Sequence, residues 1–156
     1  MTVQEVWELL GTVFDPELPV VSIVDLGIAR AVSVGDGCVV VTITPTYSGC
    51  PAMREICADI QARLGSRFAD VQIRTVLAPA WTTDWITAVG RAKLTAAGIA
   101  PPGVRLLPLL GRGGPAGCPR CGSSDVEELA GFGSTACTAL WRCRSCREPF
   151  DHVKAH

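Results

Sequence analysis

Four cysteines near the end of the chain carry the spacing of a metal site. They form two knuckles, Cys118-Pro-Arg-Cys121-Gly and Cys143-Arg-Ser-Cys146, with 21 residues between them. Each Cys-x-x-Cys turn presents two sulfurs to one ion, and the stretch between is long enough for a hairpin. Together they could close a tetrahedral four-thiolate site. Zinc favours such a site, and iron or an iron–sulfur cluster can occupy one too. The competing use is a pair of disulfides, which a reducing compartment disfavours. Four sulfur ligands leave no position open for water or substrate. The motif therefore describes a device that holds a fold, not a reaction centre.

Cys50 is the second residue with chemistry in it. It follows Gly49 and precedes Pro51, at the start of an expected helix. Free amides and the dipole of a helix start favour a thiolate, so Cys50 could serve as a metal ligand or a nucleophile and react ahead of the other thiols nearby. Residues 1–115 contain no histidine to act as its base; the chain's histidines are His152 and His156. A cysteine–histidine dyad in this part of the chain is therefore not expected. Asp15 and Glu17 could approach Cys50, but carboxylates disfavour a neighbouring thiolate. The bland reading of Cys50 is a small buried residue at a helix cap. Cys38, at a strand start, and Cys57, on an apolar helix stripe, read as core. Asp15-Pro-Glu17 and Asp25-Leu-Gly27 read as turns, with Gly27 a candidate for positive φ. Trp81, Trp85 and Trp141 read as core or interface anchors.

The composition narrows the function classes. The chain has 156 residues, enough for one ordinary domain and a small appendage, and at 48% hydrophobic it can pack a core. Residues 1–115 hold nine basic and ten acidic side chains, and 116–156 hold five of each. A domain that grips phosphates shows a basic excess, so no nucleic-acid partner is expected. Arg142, Arg144 and Arg147 cluster at the second knuckle and read as a solvated surface or a partner contact. Met1-Thr-Val-Gln-Glu5 has neither a basic n-region nor an apolar h-region, and no apolar run approaches a membrane span. A cytoplasmic protein with reduced thiols and no membrane partner is expected.

The elements that must position these residues follow from periodicity. Thr2 and Glu5 make a capping box for a helix over about 2–12, carried by Val6, Leu9, Leu10 and Val13. Phe14-Asp-Pro-Glu-Leu-Pro19 breaks it. Leu26–Val34 and Cys38–Thr44 read as strands joined by Gly35-Asp-Gly37. Pro51 opens a helix with Met53, Ile56, Cys57, Ile60 and Leu64 on one stripe. Val71–Leu77 reads as a third strand. A last helix is expected over Asp84–Ala97, with Ile86, Val89 and Leu94 inward and Gly98 as its stop. The order α-β-β-α-β-α predicts an α+β fold, a small mixed sheet with helices packed on it, followed by a zinc-ribbon-like module. The expected domains are 1–98 and 118–156. The linker 99–117 holds five glycines and four prolines, and its apolar run Val104–Leu110 is expected to dock.

At these residues a resemblance enters. Asp15-Pro-Glu-Leu-Pro-Val-Val-Ser-Ile-Val-Asp-Leu-Gly27, with Thr44-Pro-Thr-Tyr-Ser-Gly-Cys-Pro51, resembles the iron–sulfur assembly-factor domain of the SufT-like proteins. Trp81-Thr-Thr-Asp-Trp85, Gly98-Ile-Ala-Pro-Pro102, Phe132-Gly-Ser-Thr-Ala-Cys137, Glu148-Pro-Phe150 and His152 are similar to the PaaD family of the phenylacetyl-CoA ring epoxidase system. The resemblance covers nearly the whole chain. It implies an accessory protein of aerobic phenylacetate catabolism, acting in maturation and iron–sulfur cluster insertion. The implied partners are the epoxidase subunits, above all the reductase, which carries flavin and a [2Fe–2S] cluster; a homodimer stays open. Position by position, Cys50 matches the family's Cys-Pro motif, Asp15 and Glu17 its acidic turn, and Cys118, Cys121, Cys143 and Cys146 its ribbon. Cys137 is a fifth thiol that could replace a ligand or join a labile cluster.

Two readings of function result. In the first the chain is a non-catalytic assembly factor using Cys50 as a transient ligand. In the second it is an integral structural subunit or small enzyme of the oxygenase. A catalytic role would call for Glu-x-x-His pairs, a facial triad or a Gly-rich nucleotide loop, and the sequence has none of them.

Overall fold

A computed structural model describes residues 1–103 and 113–155. The run Val104–Leu110, expected to dock, lies outside the described residues. The chain packs as two compact units, Met1–Gly90 and Arg91–His156.

In the first unit, helix α1 spans Val3–Leu10, with both arms of the Thr2–Glu5 capping box formed. Strands β1 (Ala29–Val34) and β2 (Cys38–Ile43) make the expected hairpin. Gly37 in its turn takes φ +75, a left-handed conformation cheap only for glycine. Helix α2 (Ala52–Gly65) then crosses to β3 (Asp70–Thr75), which pairs in parallel with β2. The described strands of this sheet run in the order β1-β2-β3. Val39, Val41 and Ile43 of the central strand are fully buried, as period-2 alternation requires. Ile56, Ile60 and Leu64 of α2 are buried too. Burying a side chain of this size stabilises by about 1.5–3 kcal/mol, so this stripe outweighs any local propensity in fixing α2.

Two elements differ from expectation. Leu26–Ile28, expected to be strand, lie outside β1, with Leu26 and Gly27 in a turn. Ser22 and Asp25 cap one another there, the Asp25 carboxylate accepting from the Ser22 amide and the Ser22 hydroxyl accepting from the Asp25 amide. The helix expected from Asp84 is also interrupted. A 3₁₀ turn covers Thr83–Trp85, Ile86 is extended, and α3 runs only over Ala88–Ala96. The Thr87 hydroxyl accepts from the Gly90 amide at 3.0 Å, which starts the helix there. This later start turns Val89 outward, 59% exposed, whereas Ile86 and Leu94 are buried as expected.

In the second unit the described strands are β4 (Ile99–Ala100), β5 (Val126–Ala130), β6 (Thr138–Cys143) and β7 (Pro149–Val153), in the order β4-β7-β6-β5. β5, β6 and β7 pair antiparallel in sequence, and β4 pairs in parallel with β7. Ile99 and Ala100, assigned by sequence to the linker, thus belong to this sheet. Its small core gathers Ala100, Cys118, Cys143 and Phe150, with Val126 and Trp141 packed against it. Two of those core residues are cysteines, so the core and the candidate metal site share atoms.

Candidate metal centre and the Cys50 loop

The first knuckle precedes β5, and the second begins at the last residue of β6. The β5–β6 hairpin brings them face to face. The sulfurs of Cys118, Cys121, Cys143 and Cys146 all lie within 4.8 Å of one another. Across the two knuckles, Cys118 Sγ is 3.7 Å from Cys146 Sγ and Cys121 Sγ is 3.5 Å from Cys143 Sγ. A tetrahedral ion with metal–sulfur bonds of about 2.3 Å sets its sulfurs about 3.8 Å apart. The spacing of the four thiols therefore fits such an ion.

The backbone around the two knuckles repeats. The Cys118 amide donates to the Ser123 carbonyl at 2.8 Å, and the Cys143 amide donates to the Glu148 carbonyl at 3.0 Å. The residues after each second cysteine, Gly122 and Arg147, are both left-handed. The Arg120 amide donates to Cys118 Sγ, and the Cys146 amide donates to Cys143 Sγ, each at 3.4 Å. Ser123 and Ser145 hydroxyls meet at 2.8 Å between the turns.

The electrostatics favour one thiolate and resist more. The Cys146 amide at its sulfur holds the Cys143 thiol down to about 6, against burial and with help from the Cys121 thiol and the Ser145 amide. For Cys146 the Glu148 amide pulls down, but burial and the thiols of Cys143, Cys118 and Cys121 outweigh it, and the group is pushed up to about 12. Four anionic sulfurs at this spacing need a cation to compensate them. The flanking arginines are used locally: Arg142 and Arg144 both pair with Glu127, and Arg144 lies 3.7 Å from Asp125.

Cys137 is not among the four. Its sulfur lies 3.0 Å from the Thr135 hydroxyl. His152 is buried on β7, its ring edge-on to Trp141 at 5.8 Å between centroids. Burial drives its pKa down to about 4, and among the described residues its Nε2 has no hydrogen-bond partner.

In the first unit, Cys50 sits in the loop after β2. Pro51 is the N-cap of α2 and the helix begins at Ala52, one residue later than expected. The Cys50 carbonyl accepts from Met53, its amide donates to the Tyr47 carbonyl, and the Thr46 hydroxyl points at its sulfur at 3.9 Å. Sequence reading missed Thr46, whose only signal was its place at the other end of the Thr-x-x-x-Cys loop. Cys50 is expected to react ahead of Cys38 and Cys57, which read as core. The burial runs the other way: Cys50 is buried, 9% exposed, and the other two are half-buried. Cys57 sits at the margin of the α2 stripe and is not among its buried residues. Burial raises the pKa of both Cys57 and Cys38, and Asp70 adds to the effect at Cys38.

The acidic turn serves the backbone. Asp15 is buried, and its Oδ1 accepts from the Glu17 and Leu18 amides at 2.8 and 2.9 Å. Burial pushes its carboxyl up, against those two bonds. Glu17 contributes its amide to this turn. Asp15 and Cys50 thus hydrogen-bond to different neighbours.

Two family models match the two parts of the chain separately, and a relative matches across both. Residues 3–77 match the family described as iron-sulfur cluster assembly protein, and residues 108–154 match the PaaD zinc beta ribbon domain. A protein of Escherichia coli (strain K12), named as the D component of 1,2-phenylacetyl-CoA epoxidase, is 47% identical over 97% of this chain and 92% of its own. An Fe-S protein maturation auxiliary factor of Porphyromonas gingivalis is 37% identical over 55% of this chain and 84% of its own. Among solved structures, a domain of unknown function from Bacillus anthracis superposes with a TM-score of 0.55 at 27% identity, covering 59% of this chain and 90% of that one. A conserved hypothetical protein from Thermotoga maritima gives 0.52 at 26% identity, over 60% and 94%.

Proposed function

The chain belongs to the PaaD family of 1,2-phenylacetyl-CoA epoxidase components, and on that premise we propose that it is a non-catalytic maturation factor of that system. It assists assembly or insertion of an iron–sulfur cluster into the reductase. The observation that carries this reading is the union, in one chain, of a domain matching iron–sulfur cluster assembly proteins and a ribbon whose four sulfurs leave no open coordination position. The first supplies a thiol for a cluster in transit, and the second supplies a closed, rigid module.

In this reading Cys50 is the transient ligand of the cluster, which is cargo. The Thr46 hydroxyl lies 3.9 Å from its sulfur and is a neutral neighbour that does not compete for iron. Asp15 and Glu17 shape the neighbouring chain through their turn. Cys118, Cys121, Cys143 and Cys146 hold a zinc ion, which supplies folding energy. Cys137 is engaged by Thr135 and outside the four, so the proposal rests on Cys50. No histidine in residues 1–115 offers a base, which agrees with a carrier and not an enzyme.

The test is a Cys50→Ser strain grown on phenylacetate. The fold should persist, because a hydroxyl fits where the thiol did. Growth should fail, and the reductase purified from that strain should carry less [2Fe–2S] cluster than normal. Lost growth with normal cluster content would overturn the maturation role. It would favour a structural part in the oxygenase complex.

A further inference from the structure

The four ribbon cysteines divide into an inner and an outer pair. Cys118 and Cys143 are 4% and 0% exposed and belong to the core with Ala100 and Phe150. Cys121 and Cys146 are exposed. The amide bonds of Arg120 and Cys146 end on the inner sulfurs. Each close sulfur pair, Cys118–Cys146 and Cys121–Cys143, joins one inner to one outer residue. A tetrahedral ion held here therefore turns one edge of its coordination sphere to solvent and the opposite edge to the core.

We propose that Cys121 and Cys146 form an exchange edge, through which the metal ion is gained from, or handed to, a thiol-bearing acceptor. Cys118 and Cys143 release it last. This rests on the reading of the four cysteines as a metal site. The reason is the cost of the leaving group. A thiolate detached at Cys121 or Cys146 is rehydrated at once. One detached at Cys118 or Cys143 is left among apolar side chains, where an unpaired charge is expensive. An incoming acceptor sulfur can likewise reach the ion only from the open edge, because Phe150, Val126 and Trp141 pack on the other. In each exchange one metal–sulfur bond forms to the acceptor thiolate and one breaks at Cys121 or Cys146. The freed thiolate takes a proton from water, and no electron moves.

The test uses the full-length metal-loaded protein, limiting N-ethylmaleimide with peptide mapping, and 4-(2-pyridylazo)resorcinol to record metal release. Cys121 and Cys146 should be alkylated roughly tenfold or more ahead of Cys118 and Cys143, in step with release. Cys121→Ser and Cys146→Ser should bind metal but release it roughly tenfold faster, while Cys118→Ser and Cys143→Ser should not retain it. Equal labelling of all four, inner labelling first, or four serine variants that behave alike would overturn the exchange edge while leaving the metal site standing. Wild-type protein without stoichiometric metal would overturn the metal site, and the exchange edge with it.

Discussion

Arg147 occupies in the second knuckle the place that Gly122 occupies in the first. Both follow the second cysteine of their turn, with φ of +66 and +76. Both lie inside a turn closed by the first cysteine's amide, to Ser123 in one case and Glu148 in the other. The left-handed region costs a residue with a Cβ about 1 kcal/mol or more, so the second turn is held against that strain.

The substitutions at these two positions should therefore have opposite signs. Gly122→Ala should lower the stability of the ribbon by about 1 kcal/mol, since no atom lies near enough to clash and only the backbone conformation is penalised. Arg147→Gly should leave it unchanged or raise it by up to about 1 kcal/mol, the relief being offset by the freedom of glycine in the unfolded chain. Chemical denaturation of the metal-loaded protein measures both. A destabilising Arg147→Gly would show that the arginine side chain supplies more than the strain removes.

Metal removal should unfold the second unit and spare the first. The ribbon core is small and counts two of the ligands among its members. Structural zinc in small modules contributes about 10–16 kcal/mol, more than such a core can replace. The first unit keeps its own buried set, including Val39, Val41, Ile43, Ile56 and Ile60. Limited proteolysis after chelation should cut within 118–153 and leave the N-terminal unit whole. A protease-resistant ribbon without metal would contradict this.

Acid should destabilise the ribbon through His152. Its pKa lies near 4 in the folded chain, because burial penalises the charged ring, and near 6.5 when unfolded. The unfolded state thus binds the extra proton. The stability His152 contributes is present in full above about 6.5, falls as pH drops through that window, and is lost below about 4, up to about 3 kcal/mol in all. His152→Phe should flatten the pH dependence of unfolding between those limits. It should be near neutral at pH 7, since it removes a buried nitrogen that has no partner among the described residues. An unchanged profile in the variant would assign the acid sensitivity to the cysteines.

Gly27→Ala should be among the most damaging single changes in the first unit. Gly27 has φ +71, and a Cβ there would lie 2.6 Å from the Trp85 carbonyl oxygen and 2.7 Å from Trp85 Cβ. Strain and a backbone clash add, for an expected loss of about 2–4 kcal/mol. A thermal midpoint within a degree or two of the parent would show that this turn can move aside.

Several features were legible because they depend on near neighbours in the chain. The Thr2–Glu5 box, the Gly35–Gly37 hairpin and the α2 stripe are set by spacings of two to four residues, so periodicity finds them. The two Cys-x-x-Cys turns are equally local, and a hairpin is the short way to bring them together. Other boundaries were illegible because the deciding hydrogen bond competes with a pattern. The strand expected from Leu26 lost its first residues to the Ser22–Asp25 cap. The helix expected from Asp84 lost its first turn to the Thr82 and Thr87 caps.

By itself the sequence determined the α+β core, the ribbon and the membership of its four cysteines, since thiol spacing within and between two turns limits what four sulfurs can do. Only the tertiary structure decided which sulfurs face water. Cys118 and Cys121 are equivalent in the motif, yet the sheet buries one with Phe150 and leaves the other exposed. The same holds for Cys50, whose place before Pro51 left a reactive and a buried reading open and which the structure buries. Burial is a sum over residues far apart in the chain, and no local spacing encodes it.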